Sequence, residues 1–562
     1  MEIQTLNPTT PRQRQRIEAF LKRNGLRFDD MHYYAAITDD DGEMIAGGGL
    51  KGNVIKCVAV DDAHKGEAIA NTLISHLIAH ANEEGHSNVM LFTKPKNRQL
   101  FESLSFRLLA EAPEAVLMET GIGGINNTVE ALKKIREESE KYKEYNKECK
   151  ENNKECKENS EECKEEEKTN LNTSTPQHHN TTTPQHLNPS TPQPLTTTTP
   201  LRGVVVMNCN PFTLGHRYLI EQAAKQVERL FVMVVREDCS LFAYAERKAM
   251  VEQGVAHLEN VTVIDGSEYA ISQATFPTYF LKRLDDAADT QMLLDLDLFR
   301  RHIAPALGTT VRFVGTEPTD RLTRRYNQLM HEVLADVRET ARLEKKGNVV
   351  SASRVRKAME QGDMSTIRQL VPPTTLPYII AHLATQALQA ELDTTPKPGL
   401  VDKDNNGAHR DMDYVLMQRS IDTLHPYFVK LALLGCADAL PTHTSIRDIG
   451  IEAEKAMLSA TNGVNTHKGA LFSMGLAVVA AAHEERKIAA NEEQILKERN
   501  GGEDVLVSLQ TTIKALAASF PDTNGTHGSK AKLLSKGTTA IKGALDNARE
   551  GYEMLFAEWL PF

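Results

Sequence analysis

The stretch VVVMNCNPFTLGHRYLI, residues Val204–Ile220, decides the fold of the central part of the chain. It opens with the β-branched run Val204–Val206, which is typical of a buried parallel strand, and helix-compatible sequence resumes at His216. A strand, a tight turn and a helix N-terminus in this order make an anion site, because free backbone N–H groups and the helix dipole point at the same spot. Gly215 lets the backbone approach a phosphate that the His216 imidazole also reaches. An ordinary loop histidine fits the same letters, so this motif alone does not decide the function.

A second phosphate-binding element lies far downstream, in the stretch VVSASRVRK at Val349–Lys357. Two hydroxyls, Ser351 and Ser353, and two guanidiniums, Arg354 and Arg356, stand where helical sequence begins. Hydroxyls and guanidiniums at a helix start bind phosphate, because the helix dipole and the fixed charges act on the same anion.

Together the two motifs resemble those of the HIGH-type nucleotidyltransferases, in which a second helix-opening loop closes over the triphosphate. Thr213 stands where the first histidine of the H-x-G-H motif usually is. This departure, with the flanking letters MNxNPFTLGH, is similar to the citrate lyase ligases. Three further segments match that family: Phe276–Lys282, Phe299–Leu307 and Arg312–Pro318.

Length and composition restrict the class of protein. With 562 residues, we expect three or more folded units. A net charge of −11 argues against nucleic acid as a partner. The longest apolar run, Gly469–Ala482, is too short to span a bilayer, so we expect no membrane partner. Seven scattered cysteines do not make a disulfide framework, and the N-terminus lacks a signal pattern. We therefore expect a cytoplasmic protein.

Residues 1–125 predict an α+β domain. A strand at Val54–Val60 is followed by the turn HKGEAIA, His64–Ala70, and by an amphipathic helix at Asn71–Glu84. This turn resembles the pyrophosphate-binding turn of the GNAT acetyltransferases, with Ala68 in place of one expected glycine. The resemblance implies a GNAT-like fold. It leaves two roles open, since such a module either binds CoA or only packs and docks.

Residues 126–200 predict a low-complexity linker. Lys, Glu and Asn dominate its first part, and Thr, Pro and His dominate its second part. Cys149, Cys156 and Cys163 recur every seven residues, but the companion positions are too polar for a coiled-coil seam. Cysteines at that spacing lie about 10 Å apart along a helix, which is too far for one metal. We expect a disordered, mobile segment.

Residues 201–372 predict a doubly wound α/β domain. Short apolar strands alternate with helical stretches, as in a parallel sheet; they are Val204–Val206, Leu230–Val235, Val261–Ile264 and Val311–Val314. Ligands of such sheets bind at the carboxyl ends of the strands. Arg236 follows the second strand, and Gly315, Thr316 and Glu317 follow the last one, so we expect them to contact the nucleotide.

Residues 373–562 predict an all-helical domain interrupted by two polar stretches, Thr395–Asp413 and Thr461–Ala470. Carboxylates beside amides, histidines and a lysine suit a metal-bridged triphosphate; the candidates are Asp402, His409, Asp411, Asp413, Glu452, Asn465, His467 and Lys468. Polar loops that merely join helices are the alternative. The stretches resemble triphosphoribosyl-dephospho-CoA synthase. That family continues beyond the point matching Phe562, so we expect a truncated domain with weak or absent synthase activity.

The resemblances imply one function. ATP and acetate give acetyl-adenylate and pyrophosphate, and the acetyl group passes to the thiol of the citrate lyase acyl-carrier subunit. The expected catalytic residues are His216, Thr213 and Arg356, with Mg²⁺ assisting. The expected ATP-binding residues are Asn208, Asn210, Gly215, Arg236, Gly315, Thr316, Glu317, Ser351, Ser353 and Arg354. The C-terminal domain would make triphosphoribosyl-dephospho-CoA from ATP and dephospho-CoA. The alternative is an adenylyltransferase acting on a nucleotide or pantetheine phosphate, with a non-catalytic C-terminal binding module.

Overall fold

The computed structural model describes residues 3–64, 67–141, 201–236, 240–267, 269, 279–281, 285–318, 320–345, 347–490, 502–521 and 543–556. The predicted cysteine repeat and most of the segment Phe276–Lys282 lie outside these residues. The chain forms two compact units. The first comprises Met1–Met207, Gln222–Arg236 and Asn260–Ala341, and the second comprises Asn208–Glu221, Glu237–Glu259 and Arg342–Phe562.

The N-terminal part of the first unit is a seven-stranded sheet with the order β1-β2-β3-β4-β5-β7-β6. Its strands are β1 Ile3–Leu6, β2 Tyr33–Thr38, β3 Met44–Lys51, β4 Val54–Val60, β5 Asn88–Thr93, β6 Arg107–Ala112 and β7 Ala115–Gly121. Helices α1 Pro11–Arg23, α2 Glu67–Glu83 and α3 Arg98–Ser103 connect them. Only β4 and β5 run parallel, and the remaining pairs are antiparallel. The predicted α+β fold is confirmed.

Apolar side chains at helical spacing explain how α2 packs on this sheet. Leu73, Ile74 and Leu77 are fully buried and belong to one core with the inner face of β2 and β5. On β3, glycines make room for an aromatic ring. A Cβ atom at Gly47 would lie 2.4 Å from the Tyr34 hydroxyl, so only glycine fits there.

Helix α4, residues 125–141, begins where the low-complexity linker was predicted to begin. Ile125 and Leu132 are buried in the core of the first unit. The helix is also tied to the next sheet, because Arg202 donates to Glu140 at 2.6 Å and Arg229 donates to the Ser139 carbonyl at 2.6 Å. The predicted linker is therefore wrong over 126–141, where a regular apolar stripe overrides the charged composition. Residues 142–200 lie outside the described residues.

The central sheet of the first unit has five parallel strands in the order β10-β9-β8-β11-β12. These are β8 Arg202–Met207, β9 Arg229–Val234, β10 Val261–Asp265, β11 Val311–Gly315 and β12 Val337–Thr340. Because β8 lies between β9 and β11, the strand order reverses at β8. Such a reversal is where open α/β sheets bind ligands, at the carboxyl ends of the strands. The predicted doubly wound parallel sheet is confirmed.

The helices of the central region are α5 Leu214–Ala224, α6 Tyr244–Val255, α7 Asp285–Leu298, α8 Ala304–Leu307 and α9 Arg321–Val333. A π-helical turn, Phe299–Ile303, precedes α8. Helix α7 joins the two sheets of the first unit. Its Leu294 and Leu298 share a buried core with Leu109 of β6, and its Asp297 carboxylate accepts the backbone N–H of Glu111 at 2.9 Å.

The second unit is mostly helical. After a short hairpin of β13 Glu344–Lys345 and β14 Asn348–Val349, its helices are α10 Ala352–Glu360, α11 Met364–Leu370, α12 Leu376–Asp393, α13 Tyr414–Gly435, α14 His443–Ala460, α15 Lys468–Ala490, α16 Gly502–Ala518 and α17 Ala544–Arg549. The predicted helical C-terminal region is confirmed. Among the residues that the structure describes, no helix has both the length and the apolar character needed to cross a membrane.

The second unit also includes the loop after β8 and helix α6, which were predicted to belong to the α/β domain. Side chains of the C-terminal helices explain this grouping. Thr375 donates to the Phe212 carbonyl at 3.1 Å, and Gln253 donates to the Tyr378 hydroxyl at 2.8 Å. The loop and the first C-terminal helix therefore fold as one packed body.

Candidate active site

The loop that follows β8 is held in place by a buried arginine. Arg247, on α6, is fully buried and donates from one nitrogen to the Asn208 carbonyl at 2.7 Å and to its side-chain Oδ1 at 2.6 Å. The Asn210 side chain accepts the backbone N–H of Phe242 at 3.2 Å. Both asparagines were predicted to bind ATP. In the structure their side chains fix the conformation of the loop, and their contact with ATP stays a prediction.

Thr213 caps helix α5 and orients His216. Its hydroxyl accepts the backbone N–H of His216 at 3.3 Å, which is the bond of an N-cap residue. The backbone N–H of Thr213 donates to Nδ1 of the His216 ring at 3.1 Å, and the Thr213 hydroxyl lies at the same distance from that atom. Because Nδ1 accepts, the proton of the neutral ring is on Nε2. His216 thus presents an N–H donor on its other side.

Partial burial keeps His216 neutral. The surrounding protein lowers the pKa of the ring to about 4, and the nearby Arg342 guanidinium adds to this effect. The imidazole is therefore uncharged at neutral pH and acts as a hydrogen-bond donor from Nε2. The ring also stacks on Phe212, with centroids 5.9 Å apart.

The N-terminus of α10 lies beside the same loop. Ser351 is its N-cap and accepts the backbone N–H of Arg354 at 3.4 Å, and the Ser353 hydroxyl lies 3.1 Å from that of Ser351. Arg356 donates to the Asn210 carbonyl at 2.5 Å. This bond joins the two motifs that the sequence placed 146 positions apart.

Two further contacts shape this junction. A Cβ atom at Gly215 would lie 2.9 Å from the Val350 carbonyl, which explains the glycine at the start of α5. The Arg354 guanidinium donates to the Val349 carbonyl at 2.7 Å. The second unit therefore brings together two helix N-termini, whose combined dipoles favour an anion.

The remaining predicted ATP-binding residues belong to the first unit. The Gly315 carbonyl accepts from Asn327 at 3.0 Å, and the Thr316 backbone N–H donates to Thr340 at 2.9 Å. Glu317 accepts the backbone N–H of Asp320 at 3.0 Å. These bonds hold the turn after β11 in place.

Arg236 lies just beyond the carboxyl end of β9. Its guanidinium forms a loose ion pair with Asp265 at 3.9 Å, and both side chains are almost half exposed. Arg236 thus lies where the sequence predicted, at the carboxyl ends of the strands, and it is close to the Asp265 carboxylate.

The carboxylates of the C-terminal region are largely engaged with the protein itself. Asp402 is buried and accepts bonds from the backbone N–H groups of Lys397, Asp404 and Asn405 and from the Thr395 hydroxyl. These donors lower the pKa of the Asp402 carboxyl to about 2. Asp402 therefore holds its loop in place, and its predicted role in binding phosphate or metal stays a prediction.

The other C-terminal candidates are dispersed over helices and the loops between them. Asp413 caps α13, Glu452 pairs with Lys430 at 2.8 Å, Lys468 pairs with Glu454 at 2.5 Å, the Asn465 side chain accepts the backbone N–H of Lys468 at 3.2 Å, and His409 lies 3.8 Å from Asp411. Within the described ranges, no three His, Cys, Asp or Glu side chains form a group suited to a metal ion.

His467 is the exception in this region. Its ring is buried, its Nδ1 bonds with the Ser420 hydroxyl at 2.8 Å, and its Nε2 has no hydrogen-bond partner in the part of the chain that the structure describes. Burial lowers the pKa of the ring, so it is neutral. Among the C-terminal candidates, His467 combines a buried ring with a ring nitrogen that has no hydrogen-bond partner among the described residues.

Two arginines of the site were not predicted from the sequence. Arg247 holds the loop after β8, and Arg342 acts on the charge of His216. Arg342 follows shortly after β12, so its place beyond the carboxyl end of a strand was a usable signal. Arg247 lies at the first turn of helix α6, where no local pattern distinguishes it from a surface arginine.

A parallel sheet whose order reverses at β8, with a histidine-bearing helix start after that strand, defines a nucleotidyltransferase-type enzyme. Three family models match the chain in succession: the acetyltransferase (GNAT) family over residues 1–106, the citrate lyase ligase C-terminal domain over 202–379, and ATP:dephospho-CoA triphosphoribosyl transferase over 377–561.

Curated relatives make the family assignment specific. Citrate (pro-3S)-lyase ligase from Klebsiella pneumoniae is 36% identical over 376 residues, which is 65% of this chain and 92% of that protein. The ligase from Haemophilus influenzae is 34% identical over 65% of this chain and 94% of its own length. The chain belongs to the citrate lyase ligase family, as the sequence motifs predicted.

The C-terminal region is similar to a second enzyme family. The 2-(5''-triphosphoribosyl)-3'-dephosphocoenzyme-A synthase of Haemophilus ducreyi is 50% identical over 105 residues, which is 18% of this chain and 32% of that protein. The chain thus combines a citrate lyase ligase with a region that spans about a third of the synthases it matches.

Solved structures give only low overall similarity. An acyl-CoA N-acyltransferase from Klebsiella pneumoniae covers 22% of this chain and 97% of its own, with 19% identity and a TM-score of 0.18. A Plasmodium falciparum nicotinic acid mononucleotide adenylyltransferase covers 32% of this chain and 94% of its own, with 16% identity and a TM-score of 0.21. These scores support no conclusion about function.

Proposed function

We propose that this chain activates acetate as acetyl-adenylate and passes the acetyl group to the thiol of the citrate lyase acyl-carrier subunit. The observation that carries the proposal is the junction of two helix N-termini around a neutral histidine, joined by the bond from Arg356 to the Asn210 carbonyl. Such a junction suits a polyphosphate, whose charge would meet backbone N–H groups and a guanidinium together.

In the first step, an acetate oxygen attacks the α-phosphorus of ATP. A new O–P bond forms, the bond to the bridging oxygen breaks, and pyrophosphate leaves. His216 would donate from Nε2–H to the α-phosphate, where negative charge grows in the transition state. Thr213 would act by orienting that ring, since both of its polar groups contact Nδ1.

The second motif would bind the leaving group. Arg356 and the N-terminus of α10, with Ser351 and Ser353, would stabilise charge on the departing pyrophosphate. Arg354 would support them from the preceding turn, where it bonds to the Val349 carbonyl.

Mg²⁺ would enter as part of the substrate, bound to ATP. The residues that the structure describes contain no group of three metal-ligating side chains, so that part of the chain offers no closed protein cage for a metal. Mg²⁺ needs none, because it keeps several waters and is usually held by substrate phosphates and one or two carboxylates. Glu317, after β11, is a carboxylate at the same edge of the sheet as the end of β8.

In the C-terminal region, we propose binding of ATP and dephospho-CoA, the substrates in the name of the matching family. His467 supports this proposal, because its buried Nε2 is free to bond with a ligand. Incubating the whole chain with ATP, Mg²⁺ and dephospho-CoA, and measuring both the dephospho-CoA retained by the chain and the adenine released, tests it. Adenine release that falls at least about tenfold in His467→Ala supports a role for His467 in the C-terminal site. Equal release by both proteins would show that His467 has no role there.

Product analysis distinguishes the ligase from the alternative adenylyltransferase. The chain is incubated with radiolabelled ATP and either acetate plus the thiol-form carrier subunit or a pantetheine phosphate. AMP together with a carrier thioester, found only with acetate, supports the proposal. A stable adenylylated product of the pantetheine phosphate, with no AMP from acetate, would establish the alternative.

A further inference from the structure

A cavity of about 520 Å³, lined by both polar and apolar side chains, lies within the first unit, and Arg236 is part of its lining. One wall comes from the central sheet, where Arg236, Asp265 and Ser267 follow β9 and β10. The opposite wall comes from the N-terminal part, with Asn88 of β5 and Asn127 of α4. Two regions that match different families thus build one cavity.

A buried carboxylate makes the wall of this cavity rigid. Glu119 is fully buried and accepts bonds from Asn88 at 2.8 Å, from Arg107 at 2.8 Å and from the Tyr269 hydroxyl. The Asn88 side chain also donates to Tyr269 at 3.1 Å. Because this network links β5 and β7 to a residue after β10, the two walls are fixed relative to each other.

The chemistry of the cavity restricts its ligand. Asparagine, serine and threonine side chains supply donors and acceptors in several directions, and the loose pair of Arg236 and Asp265 adds one charge of each sign. An uncharged chain with several amide and hydroxyl groups matches such a lining. Its volume falls in the range of ligand pockets, about 300–1,000 Å³, and acetate, with four heavy atoms, is far smaller.

The cavity lies at the edge of the central sheet where the carboxyl ends of its strands meet, which is the edge where the nucleotide is proposed to bind. All five strands are parallel, so the carboxyl ends of β9 and β10 lie at the same edge as those of β8 and β11. The phosphate-binding turn begins after β8, and Gly315–Glu317 follow β11. A ligand at β9 and β10 would therefore occupy the neighbouring position along that edge.

Resting on the proposed function, we infer that this cavity binds the arm that carries the acceptor thiol. Dephospho-CoA, named for the family that matches the C-terminal region, ends in such an arm, which bears amides and a hydroxyl and terminates in a thiol. The thiol sulfur at the end of the bound arm attacks the acetyl carbonyl carbon of acetyl-adenylate. An S–C bond forms, the C–O bond to AMP breaks, and the thiol proton passes to solvent. The N-terminal part would thus serve the ligase by binding its acceptor.

Two half-reactions test this inference separately. ATP–pyrophosphate exchange with acetate reports adenylation, and mass spectrometry of the thiol-form citrate lyase carrier subunit reports acetyl transfer. Ala131→Trp fills the cavity from α4, and Asn127→Leu removes an amide of similar size. Glu130→Trp is the matched control, because it adds the same ring on the same helix at an exposed position outside the cavity.

We expect both cavity variants to acetylate the carrier at least about tenfold more slowly, with exchange within twofold of wild type and the control unchanged. Normal exchange also shows that the variants are folded. If Ala131→Trp does not fold, carrier acetylation by Asn127→Leu tests the inference alone. Unchanged carrier acetylation, or an equal loss of exchange and transfer, overturns the inference. Absence of acetate-dependent exchange in wild type would instead overturn the proposed function, and this inference with it.

Discussion

The two polar regions of the second unit differ in where their hydrogen bonds go. At the loop after β8, the backbone N–H and the hydroxyl of Thr213 hold the His216 ring, which leaves its Nε2–H as a hydrogen-bond donor. In the C-terminal region, Asp402 already accepts five bonds from its own loop. Polar residues clustered in a sequence therefore indicate a ligand site only where their bonding capacity remains unused.

The largest effect on adenylation is expected from a substitution in the loop after β8. His216→Ala removes the donor that acts on charge developing in the transition state, so kcat for adenylation should fall roughly 10²–10³-fold. Thermal melting should stay near wild type, since the ring is a partly exposed side chain. A kcat within a few-fold of wild type in the exchange assay would remove His216 from the mechanism.

Thr213 should give a smaller effect that a matched pair of variants can resolve. Thr213→Ala loses the N-cap bond and the hydroxyl beside Nδ1, yet its backbone N–H still fixes the tautomer. We expect about a tenfold loss of kcat, and Thr213→Ser should recover most of it. A serine variant as impaired as the alanine variant would show that the methyl group, rather than the hydroxyl, matters.

Asp402 provides the counterpart in the C-terminal region. Asp402→Ala leaves several loop donors without their acceptor, so the thermal melting of the C-terminal region should shift clearly downward while exchange activity stays within twofold. The melting temperature of Asp402→Asn, which keeps one acceptor oxygen, should lie between those of wild type and Asp402→Ala. Loss of dephospho-CoA binding at unchanged stability would instead make Asp402 a ligand-binding residue.

The pH dependence should also separate the two regions. The pKa of His216 is lowered to about 4 from its usual value near 6.5, so the ring stays neutral above pH 5. Adenylation should therefore show no loss from this group between pH 8 and 5.5 and should fall as pH approaches 4. An activity that drops through pH 6.5 would show that His216 titrates normally.

The Asp402 carboxyl has its pKa lowered from 3.8 to about 2. A lowered folded-state pKa of an acid stabilises the protein above the unfolded value, and this contribution is lost as pH falls from about 4 toward 2. Circular dichroism during acid titration checks the sign, and Asp402→Asn should remove this pH-dependent step. A step of unchanged size in that variant would assign it to another carboxyl.

The smallest effect is expected outside both regions. Removing residues 142–200 and joining the ends with a flexible linker should leave exchange within about twofold of wild type, because this composition supplies little apolar surface for a core. A deletion that starts at Glu137 should cost stability as well, since it removes the Glu140–Arg202 ion pair. Equal behaviour of the two deletions would show that the end of α4 is dispensable.

Most of the fold could be predicted from hydrophobic patterns, because β-branched runs and helical spacings are local. Helix α4 was missed although Ile125, Val129 and Leu132 recur at helical spacing, because the surrounding Lys and Glu residues masked that stripe. The two motifs predicted to bind phosphate could be located because they are short and chemically distinct, and the structure brings them into contact. The roles of Asn208 and Asn210 could not, because Arg247 and Phe242, which hold them, are distant in sequence.

The central claim, acetate activation at the junction of the two helix N-termini, is tested most directly by ATP–pyrophosphate exchange on the purified chain. Labelled pyrophosphate is incubated with ATP and Mg²⁺, with and without acetate, for wild type and Arg356→Ala, which loses the bond joining the two motifs. We predict exchange in wild type only when acetate is present and a loss of at least about 10²-fold in the variant. Exchange that is independent of acetate, or equal in both proteins, would contradict the claim.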